Sequence, residues 1–180
     1  MIYESAICDE YVSDLSRSYD TESTETDMDV WKLKPTSPSA CAKMRLLNDH
    51  MDTQVNPAQF TYLMNKDLAK DDDLKEKFEK QLSVLEKTIE DGGGPFMMGS
   101  QFTLADVHFL PFYLRSKISL KYFKGYDIAE TGKFPKLEKW FQLCSEKESV
   151  KAASKTDKEI IDIYKVFVSN DYKFGGLNKN

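Results

Sequence analysis

The chain has 180 residues, of which 41% are hydrophobic and 31% charged, and its formal net charge is −5. This length is sufficient for one domain with a substantial core, and the acidic balance argues against a nucleic-acid partner, which would require a basic face. No apolar run approaches the roughly 18 residues of a membrane-spanning helix, and the amino terminus lacks the basic-then-apolar order of a signal peptide. We therefore predict a globular protein of the cytoplasm.

The residues that most often bind metals or act as nucleophiles are few. The three cysteines, Cys8, Cys41 and Cys144, are far apart and have neither metal-ligand nor disulfide-framework spacing. The two histidines, His50 and His108, do not have a spacing that supports a zinc site or a Cys–His catalytic pair. We expect reduced structural thiols and no bound metal.

The chain begins with a short amphipathic helix. Ile7, Tyr11 and Leu15 recur at i, i+4 and i+8, which predicts a helix over residues 5–15. The helical periodicity then fails, and residues 18–29 contain five acids and no base. The segment 16–36 therefore reads as an acidic, solvated linker, and its acids lack the glycine hinge and closing glutamate of a calcium loop.

Two further helices follow the linker. Ser37 and Pro38 form an N-cap and a first-turn proline, and the apolar residues after them have helical spacing. The three aspartates at 71–73 place negative charge at the predicted start of the second helix, where the helix dipole is positive. Its apolar stripe comprises Leu74, Phe78, Leu82, Leu85 and Ile89. Glycines and a proline at 92–95 end this helix.

A polar start at Thr103 precedes the most apolar helix of the chain. Asp106 can accept the Thr103 backbone N–H while the Thr103 side chain takes a free donor of the first turn, which predicts a capping box. The residues that follow are apolar on nearly every side, which predicts a buried helix from Thr103 to about Tyr122. Pro111 should kink this helix or mark a boundary in it. Taken alone, these residues indicate only a well-capped core helix.

The carboxyl-terminal part of the chain contains two more helix starts. Pro135 begins one helix, with Leu137, Trp140 and Cys144 on its inner side. Thr156 and Glu159 form a second capping box before the last helix. Residues 174–180 should be a flexible tail. The predicted fold class is all-α.

Several of these segments resemble one protein family. Gly99 to Asp106, in the pattern Gly-x-x-x-Thr-Leu-Ala-Asp, resembles the capping segment in the C-terminal helical domain of soluble glutathione S-transferases. Residues 4–12, beginning Glu-Ser-Ala-Ile, resemble the segment that closes the family's thioredoxin-like domain. Residues 134–140 resemble its penultimate helix. Residues 110–115 and 122–128 are similar to the omega and dehydroascorbate-reductase branch.

The resemblance implies a domain organisation. Residues 1–15 would be the last helix of a thioredoxin-like domain, 16–36 a linker, 37–173 the helical C-terminal domain, and 174–180 a tail. Most of the thioredoxin-like domain, which carries the family's catalytic residue, has no counterpart in this chain. We therefore expect no catalytic residue here, and either a truncated family member or a stand-alone helical remnant. A helical domain without that neighbour should expose an apolar strip along the helices that begin at Ser37 and Thr103.

The resemblance also implies two binding sites. Ser5 would hold the γ-glutamyl carboxylate of glutathione, and Glu4 its amino group. Phe112 and Arg115 would line the pocket for a second substrate. Without the resemblance, Ser5 would be an ordinary N-cap and Arg115 a surface or capping residue.

The implied function is glutathione conjugation, or glutathione-dependent reduction of disulfides or dehydroascorbate. The co-substrate would be glutathione, the other partner a small electrophilic or oxidised molecule, and the full-length protein a homodimer. We expect the intact family member to be an enzyme. The alternative is a non-catalytic module of transferase-like fold that docks protein partners.

Overall fold

The computed structural model describes residues 5–19 and 33–170, and for residues 16–19 it describes the backbone alone. The α-helices are α1 (Ser5–Tyr19), α2 (Pro38–His50), α3 (Asn56–Met64), α4 (Asp71–Gly92), α5 (Leu104–Lys124), α6 (Pro135–Ser145), α7 (Glu148–Ala153) and α8 (Asp157–Ser169). The π-helical segment Met51–Val55 joins α2 to α3 without a break. The all-α prediction is confirmed over the described residues.

α5 is the central helix of the bundle. It packs against α1, α2, α3, α6 and α8, as expected for a helix that is apolar on nearly every side. The helix continues through Pro111, so this proline does not mark a boundary. Phe109 and Tyr113 of α5 contact the fully buried Trp140 of α6, with ring centroids 5.5 and 5.6 Å away.

Most helix starts and ends follow the sequence prediction. Ser37 caps α2 by accepting the Ala40 N–H, and the Thr156–Glu159 capping box begins α8. Gly93 ends α4 in the left-handed conformation with φ 66°, which favours glycine because it has no Cβ. α1 ends at Tyr19, four residues beyond the predicted end at 15, and α7 was not predicted.

A close backbone contact connects α4 to α5. A Cβ on Gly94 would lie 2.2 Å from the backbone carbon of Gly99, so only glycine fits there. Phe96 and Gly99 exchange two backbone hydrogen bonds of 3.0 and 3.1 Å. This turn points the Met97 N–H at Asp106 of α5, at a distance of 2.9 Å.

Candidate functional site

The capping box at the start of α5 is present and is part of a larger buried centre. Asp106 Oδ2 accepts the Thr103 N–H at 2.7 Å and the Thr103 hydroxyl at 3.1 Å. Asp106 Oδ1 accepts the Met97 N–H at 2.9 Å and the indole N–H of Trp140 at 2.8 Å. Burial raises the pKa of Asp106, and these hydrogen bonds oppose the rise. The centre joins three parts of the chain and is structural.

The two residues predicted for the second-substrate pocket lie on one face of α5. His108, Phe112 and Arg115 recur at i, i+4 and i+7 and therefore form a continuous stripe. The rings of His108 and Phe112 have centroids 5.9 Å apart, and the Arg115 guanidinium carbon lies 5.3 Å from the Phe112 centroid. His108 is buried, Phe112 half-buried and Arg115 exposed. We call these three residues the α5 stripe.

His108 connects the α5 stripe to two other elements. Its Nε2 lies 2.9 Å from Asp52 Oδ1 in the π-helical segment, and its Nδ1 lies 3.9 Å from Asp9 Oδ2 in α1. The first contact is a hydrogen bond and the second a longer electrostatic one. Burial raises the pKa of Asp9, and the attraction of His108 opposes the rise. The imidazole of His108 therefore lies between two carboxylates, with one at each ring nitrogen.

Ser5, the residue predicted to hold a glutathione carboxylate, is the exposed first residue of α1. Glu4, predicted to hold the amino group, lies outside the described residues. Helix starts have free N–H groups that favour anions. Ser5 is therefore accessible at the end of α1 that an anion would approach.

Charged side chains hold α1 on the bundle. Glu10 accepts two hydrogen bonds from Arg45 of α2, at 2.7 and 2.6 Å. Lys34 forms ion pairs with Asp14 at 2.9 Å and with Glu10 at 3.1 Å. The hydrogen bonds from Arg45 lower the pKa of Glu10 to about 2.

The opposite side of α1 is apolar and faces outward. Ile7, Tyr11, Val12 and Leu15 retain between 37% and 63% of their exposure. The apolar strip was expected on the helices that begin at Ser37 and Thr103, and that expectation was wrong. Among the described residues, the large exposed apolar side chains of α2 and α5 are single ones, Leu46 and Tyr122. We call the four α1 residues the outward face of α1.

Three other features of residues 5–19 and 33–170 bear on function. Among the residues that the structure describes, no cluster of three or more His, Cys, Asp or Glu side chains is arranged to hold a metal ion. None of the described helices is both long and apolar enough to cross a bilayer. A groove of about 630 Å³ between α4 and residues 133–134 is lined mainly by lysine and acidic side chains, so its charges are mixed. No residue of the α5 stripe lines it.

The sequence places this chain in a known family. Residues 58–153 match the family model of the glutathione S-transferase C-terminal domain. The chain belongs to this family. The match spans α3 to α7, with the α5 stripe near its middle.

Solved structures of glutathione transferases have the same fold. An omega-class enzyme, 3C from Trametes versicolor, is 24% identical with a TM-score of 0.74, over 94% of this chain and 66% of its own. A tau-class transferase from mango, Mangifera indica, is 19% identical with a TM-score of 0.77, over 92% of this chain and 70% of its own. Rice GST1, solved in complex with glutathione, is 19% identical with a TM-score of 0.71, over 97% of this chain and 72% of its own.

This family member therefore spans about two thirds of the length of these transferases. At such identities the likeness concerns the fold alone. No curated protein sequence matches the chain.

The sequence reasoning missed His108 as part of the site. Its two carboxylate partners are distant along the chain, and 56 residues separate His108 from Asp52. No local spacing therefore connects them. The i, i+4 relation between His108 and Phe112 was the one available signal.

Proposed function

We propose that this chain is the helical part of a glutathione-dependent transferase or thiol-reducing enzyme, in which Glu4 and Ser5, the first residue of α1, hold glutathione and the α5 stripe contacts the second substrate. Membership of the glutathione S-transferase C-terminal family supports the class of activity. The rice relative solved with glutathione supports glutathione as the co-substrate.

One observation supports the assignment of the two sites most directly. Asp9 of α1 lies 3.9 Å from His108 of α5. Ser5 is one helical turn from Asp9, and Phe112 is one turn from His108. The candidate glutathione residue and the candidate second-substrate residue therefore flank a single contact, as two reacting molecules would require.

The binding of glutathione at the start of α1 follows from the hydrogen-bond donors and the positive dipole end found there. The hydroxyl and N–H of Ser5 can donate to the γ-glutamyl carboxylate, and the helix dipole adds attraction. Glu4 would pair with the neighbouring amino group of glutathione. None of the described side chains is assigned to thiol activation, so in this proposal the chain binds and orients the two substrates.

Calorimetric titration with glutathione tests the proposal. We expect saturable binding to the wild-type chain in the millimolar range or tighter, and its loss in Ser5→Ala, because a donor to the carboxylate is removed. Ser149→Ala, at an exposed serine in the first turn of α7, is the matched control and should bind like the wild type. Equal binding by both variants and the wild type, or absence of binding by all three, would contradict the proposal.

The alternative function, a protein-docking module of transferase-like fold, is favoured by one observation. The outward face of α1 is an apolar helix surface whose side chains keep between 37% and 63% of their exposure, and exposed apolar patches of this kind often bind partners. Under this alternative the wild-type chain gives no heat with glutathione. A triple serine variant of Ile7, Tyr11 and Leu15 would then lose its protein partner.

A further inference from the structure

Arg115 differs from the other basic side chains of its own helix. α5 carries four of them: Arg115, Lys117, Lys121 and Lys124. Each lysine has a carboxylate partner: Lys117 pairs with Glu138, Lys121 with Asp127 at 2.6 Å, and Lys124 with Asp71 at 2.9 Å. No carboxylate within the described residues pairs with Arg115. Acids outnumber bases in this chain, 30 to 25, yet the Arg115 guanidinium remains available to an anionic ligand.

The surroundings of Arg115 are aromatic. Its guanidinium lies over the Phe112 ring, 5.3 Å from the centroid to Cζ, a cation–π arrangement that holds the group without using its N–H donors. Across the α5–α8 contact lies Tyr164, which is half-buried. Burial raises the pKa of Tyr164, and the nearby positive charge of Arg115 opposes the rise. Aromatic side chains beside one unpaired cation are the kinds of group that orient a small ligand.

The two ends of the α5 stripe differ in charge. At the His108 end, Asp9 and Asp52 present carboxylates to the imidazole, and both are partly exposed. An anion would be repelled from that end and attracted to the Arg115 end. The stripe therefore has a direction, along which an elongated ligand with one charged end would align.

We propose that the second substrate of this site is a flat aromatic molecule with a carboxylate, whose ring packs on Phe112 and whose carboxylate pairs with Arg115. This inference rests on the proposed function, because it concerns the chemical class of the molecule that binds beside glutathione. Arginine is suited to the role because its planar fork donates two parallel hydrogen bonds to a carboxylate.

Two probes of matched shape test the charge requirement: the flat naphthalene-2-carboxylate and its neutral analogue naphthalene-2-carboxamide. Calorimetric titration of the wild-type chain should give about tenfold tighter binding of the carboxylate, the effect of one charge-assisted contact. Arg115→Gln should bind both probes equally, at the level of the amide. Arg115→Lys should retain part of the preference, because the charge remains and the fork does not.

Two further variants separate the contribution of the Arg115 charge from that of the Phe112 ring. Lys139→Gln, at an exposed lysine of α6, removes the same charge away from the stripe and should keep the tenfold preference. Phe112→Leu should weaken both probes together, because the ring contact is common to them. Arg115 is exposed, so its replacement should leave the helical circular-dichroism signal unchanged.

Equal affinity of the wild-type chain for the two probes would overturn the inference, as would binding of neither probe. Loss of the preference in Lys139→Gln would also overturn it, because the effect would then follow from net charge. These outcomes are independent of the glutathione titration. A chain that binds glutathione through Ser5 but does not distinguish the probes would keep the proposed function and lose only the substrate class.

Discussion

Asp106 shows how one residue holds three segments together. Its carboxylate accepts four hydrogen bonds, from Met97, Trp140 and both the N–H and hydroxyl of Thr103. The side chain is completely buried, so these donors have no access to water if it is removed. The capping half of this arrangement followed from the spacing of Thr103 and Asp106. The bond from Trp140 did not, because the two residues are 34 positions apart.

Asp106→Ala should lower the free energy of unfolding by about 2–4 kcal/mol, since it leaves several buried donors unsatisfied. Urea denaturation measures the change. Glu159→Ala is the matched control, because it removes the same capping-box acid at the exposed start of α8. Its effect should be clearly smaller, and equal losses in the two variants would show that the buried centre adds nothing to an ordinary cap.

Cys144 should be the least reactive thiol of the chain. Burial raises its pKa to about 12, so at neutral pH the nucleophilic thiolate is almost absent. We expect two thiols, those of the half-buried Cys8 and Cys41, to react with a disulfide reagent in the native protein, and the third only in denaturant. Cys144→Ser should leave the fast phase unchanged, and three thiols reacting at one rate would contradict the assignment.

At the scale of elements, periodicity predicted the helices better than it predicted what they pack against. The stripe of α4 is buried as predicted, at Phe78, Leu82, Leu85 and Ile89. The stripe of α1 has equally regular spacing, yet it faces outward, because the side of α1 toward the bundle presents Asp9 and Glu10 to His108 and Arg45. A hydrophobic pattern identifies a face and does not identify its partner.

The attachment of α1 to the bundle should therefore weaken as the pH falls. Hydrogen bonds from Arg45 lower the pKa of Glu10 from 4.5 to about 2. A carboxyl whose pKa is lower in the folded state stabilises that state above its unfolded pKa, and the contribution is lost as the pH falls through the folded value. For Glu10 the loss falls between pH 4.5 and about 2.

Urea denaturation of the wild type and Glu10→Gln tests this dependence. The variant should be the less stable near pH 7, and the difference should shrink as the pH falls to about 2. Glu76→Gln, at an exposed residue of α4, is the control and should show little difference at either pH. A Glu10→Gln difference that is the same at both pH values would show that the pairing with Arg45 does not stabilise the fold.

For the whole molecule, the largest group of exposed apolar side chains among the described residues is the outward face of α1, and α8 exposes a smaller pair, Ile163 and Val166. Four large apolar side chains on one helix form a patch of the kind that binds partners or causes association. Charged contacts on the other side of α1 hold this face in a fixed orientation. A patch that is both apolar and fixed should associate more readily than apolar residues scattered singly over the surface.

We therefore expect the isolated chain to bind a hydrophobic dye and to sediment as more than a monomer. Replacing Ile7, Tyr11 and Leu15 together with serine should abolish both properties without unfolding the bundle, because the three side chains are not part of the core. Leu46→Ser and Val84→Ser, at exposed but isolated positions, should change neither property. A wild-type chain that is monomeric and does not bind the dye would show that the outward face of α1 is stable in water without a partner.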